Sequence, residues 1–71
     1  MEKNNGNYIE LNAFLRVNNI AVTGGKAKLI IREGKVKVNN EIETRNKKKL
    51  YAGDIIEFES QKFIIEEQFL R

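Results

Sequence analysis

The apolar positions of this chain change period part-way along it. Leu11, Phe14 and Leu15 lie at i, i+3 and i+4, the spacing that sets side chains on one face of a helix. It predicts a first helix over residues 11 to about 18, with Arg16 pointing away from the core. Asn18 and Asn19 tolerate the left-handed exit that ends a helix, and Ile20 and Val22 are expected to fold back onto its apolar side. Thr23 is a candidate N-cap and Gly34 a candidate C-terminal stop, so a second helix is expected over residues 24 to 33. Ala27, Ile30 and Ile31 would share its inner face. Lys28 and Arg32, four apart, would share an outer one, and Leu29 falls nearly opposite the core stripe.

After Gly34 the period becomes two. Val36 and Val38 alternate with Lys35 and Lys37, and the pair Asn39 and Asn40 then suits a turn, which reads as a strand entering a hairpin with residues 41–44 pairing back. Residues 45–49 form a polar loop. Leu50 and Tyr51 lead into Ala52, Gly53 and Asp54, a tight turn in which glycine supplies positive φ. Two more strands are expected over residues 55–59 and 62–66, joined at Ser60 and Gln61, with Ile56 and Phe58 inward on one and Phe63 and Ile65 on the other. Tyr8 and Ile9 can form a short strand before the first helix. Residues 1–7 are expected to fray, residues 8–66 to form one domain, and residues 67–71 to be a loose tail. The class is α+β: two packed helices followed by a small antiparallel sheet.

Composition narrows the function. The 71 residues contain neither cysteine nor histidine, so disulfides, thiolate metal sites, the commonest zinc ligands, the commonest general base and a thiol nucleophile are all excluded. No catalytic residue, cofactor or metal is expected. The apolar runs fall far short of the roughly 20 residues that span a bilayer, and no signal-peptide core opens the chain; a soluble, cytoplasmic protein without membrane partners is the expectation. The net charge is only +3, but six of the ten acids (Glu2, Glu10, Glu57, Glu59, Glu66, Glu67) lie outside residues 11–56. Within that stretch ten Lys and Arg face four acids, and a polyanion would be drawn to it. Any single one of these lysines is accounted for as solubilising surface; the argument rests on the set.

Residues 23–40, Thr-Gly-Gly-Lys-Ala-Lys-Leu-Ile-Ile-Arg-Glu-Gly-Lys-Val-Lys-Val-Asn-Asn, with Glu43-Thr-Arg45 and Lys49-Leu-Tyr-Ala-Gly-Asp54 after them, resemble the S4 (α-L) RNA-binding domain. The Thr-Gly-Gly variant, with Tyr8-Ile9, Leu11 and Phe14-Leu15 upstream, looks most like the short stand-alone bacterial members of the YaaA and YbcJ kind. The resemblance covers residues 8–66. It implies two helices packed in an L, a small sheet, and binding of structured RNA, commonly ribosomal or transfer RNA, in association with the ribosome or its assembly. Carried over by position, the RNA surface includes the start of helix two, the Lys28 and Arg32 face and the strand beginning at Lys35. Where many members carry arginine and lysine at the start of helix one, this chain has Glu10, Leu11, Asn12 and Ala13. Where many have Ser-Arg at the start of helix two, it has Thr23 and Gly24. Both departures remove positive charge, and the one at helix one moves the expected contact away from that helix, towards helix two and the hairpin.

The chemistry of such a surface is phosphate binding. Thr23, Gly24 and Gly25 would leave unpaired amides at the positive end of a helix, open to close approach by an anion, with Lys26 and Lys28 beside them. The competing reading is that Thr23 only caps and the glycines only shape a tight helix start. Arg32, Lys35 and Lys37 would continue the positive track, and Arg45, Lys47 and Lys48 would reach it from the loop. Such contacts position an RNA without reading its sequence, which leaves recognition to shape. Tyr51 as a base-stacking platform, and the pairs Glu41/Glu43 and Glu66/Glu67 as an acid–base or metal dyad, are the weaker readings. A protein-interaction adaptor, linked to DNA replication or repair and using Leu29, Phe69 and Leu70, is the alternative from a different class.

Overall fold

The computed structural model describes residues 7–67. Its elements run β1 (Ile9–Glu10), α1 (Leu11–Val17), α2 (Gly24–Arg32), β2 (Val36–Val38), β3 (Glu41–Ile42), β4 (Lys49–Leu50), β5 (Ile55–Phe58) and β6 (Gln61–Ile64). The frayed start and the tail, including Phe69 and Leu70, lie outside the described residues, apart from Asn7 and Glu67.

Both helices form where the three-and-four spacing put them. Leu11, Phe14 and Leu15 on α1 are buried, as are Ala27, Ile30 and Ile31 on α2. These two apolar stripes pack together and are closed by Val36, Val38, Leu50, Ile56 and Ile65. Each large side chain removed from water contributes about 1.5–3 kcal/mol, and the twelve buried apolar residues among those described form one cluster. Phe14 also meets Phe63 edge to face, with centroids 5.9 Å apart.

The α1–α2 linker makes the expected left-handed exit, at Asn19, and corrects the place of Val22. Asn19, not Asn18, takes the left-handed conformation, at φ 61°, and the amides of Ile20 and Ala21 then both donate to the Leu15 carbonyl. That turn presents Ala21 to the core, where it is 2% exposed, and leaves Val22 91% exposed. Val22 lies in the bend that leads to the extended Thr23 cap, and points to solvent. Gly34 ends α2 at φ +75°, a value that favours glycine.

Strands β3-β2-β5-β6 form an antiparallel sheet in that order, and β1 pairs separately with β4. Asn39 and Asn40 make the β2–β3 turn, both with positive φ, as a two-residue hairpin requires. The β5–β6 turn falls on Glu59 and Ser60, one residue earlier than expected, again with positive φ; Ile56 opposite Phe63 brings the inward rows together in that register. β3 stops at Ile42, although the Glu43 amide still donates to the Val36 carbonyl. The pairing of Ile9 with Leu50 and of Glu10 with Lys49 makes a second sheet where one was expected.

Candidate nucleic-acid interface

Thr23 caps α2: its Oγ1 accepts the Lys26 amide at 3.1 Å. Gly24 and Gly25 follow as the first helical residues, both exposed. A Cβ at Gly24 would meet nothing within 4 Å, and one at Gly25 only the Thr23 Oγ1 at 4.0 Å. Neither residue has positive φ. Packing and backbone conformation therefore do not require glycine at either position, and the space above the first turn is open. Lys26, Lys28 and Arg32 are exposed along this helix, and none of the three forms an ion pair with a described residue.

The second basic surface is the loop of residues 45–49. It is docked on the start of α1 through main-chain bonds: the Leu11 amide donates to the Lys48 carbonyl at 2.9 Å and the Asn12 amide to the Asn46 carbonyl at 3.1 Å. Those carbonyls use two of the amides that a helix start leaves unpaired. The loop's cations thereby arrive beside the helix start, Glu10 to Ala13, that lacks basic residues of its own. Arg45, Lys47, Lys48, Lys49 and Tyr51 line a groove of about 570 Å³, and no carboxylate is among its described lining residues. Three of the five had been expected in the interface.

Lys49 was not among the residues expected to bind RNA and Tyr51 entered only as a weaker base-stacking reading; the arrangement of the two depends on the β1–β4 pairing. The Lys49 Nζ sits over the Tyr8 ring, 4.8 Å from its centroid, and Tyr8 meets Tyr51 edge to face at 6.1 Å. The Tyr51 amide donates to Asp54 Oδ2 at 2.8 Å, and Asp54 Oδ1 accepts from the Asn39 side chain. A run of three lysines hinted at Lys49. Nothing local in the sequence places Tyr8 beside Tyr51.

Lys35 and Lys37 lie in a different electrostatic setting. Lys35 bridges to Glu33 at 3.2 Å. Lys37 stands opposite Glu57 across the β2–β5 ladder, and Glu57 in turn opposite Lys62. The outer face of the sheet thus alternates in sign, and it also exposes Ile42, Ile55 and Ile64.

Within the basic loop, Arg45 is tied to Glu43. Its Nε donates to Oε2 at 2.9 Å, a terminal nitrogen donates to Oε1 at 3.2 Å, and its own amide also donates to Oε2. The guanidinium bond holds the Glu43 carboxyl below the usual glutamate range; desolvation opposes it, and the Arg45 amide and the nearby Lys48 charge add to it. The same bond raises Arg45. Asn46, next in the loop, has its Oδ1 buried without a hydrogen-bond partner among the described residues. No group of three acidic side chains that could hold a metal occurs among the described residues, and no helix among them is long and apolar enough to cross a membrane.

Two helices set against an antiparallel sheet, with basic residues on the outer helix face and the adjoining loop, define an S4 domain. The chain belongs to that family, whose sequence profile matches residues 3–66. Over 51 residues, 72% of each chain, it is 41% identical to "Probable ribosome maturation protein RlbA" of Bacillus subtilis (strain 168). Over 51 residues, 72% of this chain and 73% of the other, it is 37% identical to "Putative RNA-binding protein YbcJ" of Escherichia coli (strain K12).

Proposed function

We propose that this protein binds structured RNA, ribosomal or transfer RNA, as a non-enzymatic ribosome-associated or ribosome-assembly factor of the bacterial cytoplasm. The observation that carries the reading is the groove of the 45–49 loop, where four cations converge and no carboxylate is among the described lining residues. Lys47 and Lys48, without an ion pair to a described residue, with the charges of Arg45 and Lys49 around the same groove, suit a phosphate backbone, which exchanges its counterions for cations. The exposed Lys26, Lys28 and Arg32 of α2 extend the phosphate-binding surface, and the open first turn at Thr23, Gly24 and Gly25 admits a phosphate to its amides. Lys35 and Lys37 contribute less, because Glu33 and Glu57 already offset their charge. The names of the two relatives, one for ribosome maturation and one for RNA binding, support the same reading.

Phosphate contacts of this kind position an RNA, and its shape supplies the selectivity. Exchanging charge on α2 with Lys28→Glu and Arg32→Glu together should leave the fold intact, since both side chains are exposed, and abolish binding to ribosomal RNA fragments. Unchanged, salt-insensitive binding by that double variant would sink the proposal. A second reading, a protein-docking adaptor, draws on Leu29 and on Ile42, Ile55 and Ile64 exposed on the outer sheet face. It requires capture of a protein partner that survives thorough ribonuclease treatment, with no RNA retained, and is lost on Ile55→Glu with Ile64→Glu.

A further inference from the structure

We infer that the groove beside the β1–β4 ladder holds a single unpaired nucleotide of the bound RNA, its phosphate on Lys47 and Lys48 and its base against the Tyr51 ring. The inference rests on the RNA-binding reading and specifies which feature of the RNA this site takes.

The groove sorts its lining by elimination. Arg45 is already held by two side-chain bonds to Glu43, and the Lys49 ammonium already sits over Tyr8. Lys47 and Lys48 line the same groove and make no ion pair with a described residue, so their ammonium groups can meet a phosphate. Tyr8 has Lys49 over its ring, which leaves Tyr51 as the aromatic lining the groove. Tyr51 is also held in place: Asp54 accepts its amide, its carbonyl accepts the Asp54 amide, and Tyr8 abuts its ring. A half-buried ring held this way loses little freedom when a base stacks on it, and Lys49 keeps a positive charge nearby.

The volume, about 570 Å³, lies in the range of sites that enclose a small organic group, roughly 300–1,000 Å³. A regular duplex brings only phosphates and sugars to such a surface, because its bases are stacked inside. Bulges and loops present a base with a free π-face, and aromatic side chains take bases of any sequence in this way. The groove thus combines the two requirements for an unpaired nucleotide, free cations and a fixed ring.

The test compares an RNA hairpin carrying a single-nucleotide bulge with the same hairpin without it, by fluorescence anisotropy, for the wild type, Tyr51→Ala and Tyr51→Phe. The wild type should favour the bulged hairpin. Tyr51→Ala should lose roughly 5- to 150-fold on that hairpin, the range expected for one stacked base, and far less on the plain hairpin; Tyr51→Phe should keep the preference. Placing 2-aminopurine at the bulge gives a readout that needs no variant, since stacking on Tyr51 should quench it when wild-type protein binds. Equal, salt-dependent affinity for both hairpins, or an equal loss on both by Tyr51→Ala, would overturn the nucleotide site and leave RNA binding standing. Failure of the wild type to bind either hairpin would overturn both. Complete competition by free adenosine monophosphate at the affinity of the bulge would show a mononucleotide site instead, and would also overturn the inference.

Discussion

Replacing Lys47 and Lys48 together by glutamine removes two charges from the basic groove without touching what holds its loop in place. That loop is fixed by carbonyl oxygens, those of Asn46 and Lys48 accepting the first amides of α1 and that of Arg45 accepting the Lys48 amide, and neither lysine side chain is buried. The melting temperature should therefore barely move. The binding should move in a way set by counterion release. Each phosphate neutralised contributes about 0.7–0.9 to the slope of log affinity against log salt. If about five cations of the intact surface pair with phosphates, the wild-type slope is roughly −3.5 to −4.5, and the double variant should lose about 1.4–1.8 of it. One decade below 1 M salt, the lost contacts correspond to about 40-fold in affinity, shrinking to about 4-fold near 0.4 M. Anisotropy titrations of a labelled ribosomal RNA hairpin over a salt series measure both quantities at once. A variant line parallel to the wild-type line would refute the reasoning, because it would mean that Lys47 and Lys48 displace no counterions from the RNA.

Glu43→Gln should release Arg45 into the groove and steepen the salt slope by about 0.7–0.9. The carboxyl is held below its ordinary range in the folded protein, so its contribution to stability is complete above the unfolded glutamate pKa, about 4.3, and disappears as pH falls through the lower folded value. Thermal melts across the acid range should accordingly show a shallower loss of stability for Glu43→Gln than for the wild type. Gly24→Ala should raise the melting temperature slightly, because nothing lies within reach of the new Cβ and alanine is worth up to about 1 kcal/mol over glycine in a helix; if a phosphate seats on that turn, the same change should weaken RNA binding. Asn46→Ala removes a buried acceptor without a partner among the described residues. It should be neutral or stabilising in chemical denaturation, and a loss above about 1.5 kcal/mol would show that the amide is satisfied in solution.

Much of the framework was legible in the chain itself, because it rests on short-range rules. The spacing of Leu11, Phe14 and Leu15, the Thr23 cap, the Gly34 stop, the alternation of Val36 and Val38 and the Asn39-Asn40 turn each depend on a few neighbouring residues, and each appears in the fold. Where the local signal was ambiguous, the prediction slipped by about a residue: Ala21 took the inward place expected of Val22, and Glu59 joined Ser60 in the last turn. In both places the side-chain pattern allowed neighbouring registers, and the positive φ of Asn19 and of Glu59 marks the one adopted.

The candidate interface depended more on tertiary structure. Sequence alone located the basic middle of the chain and named most of its cations, since charge and composition are local properties. It could not rank them, because whether a cation is available depends on what the fold sets beside it: Glu33 beside Lys35, Glu57 opposite Lys37, Glu43 bound to Arg45. Nor could it assemble the groove. That required β1 to pair with β4, bringing Tyr8 from one end of the domain against Lys49 and Tyr51, and required the loop carbonyls to close over the start of α1. Those are contacts between segments far apart in sequence, made by main-chain groups that every residue carries, and so no residue type announces them.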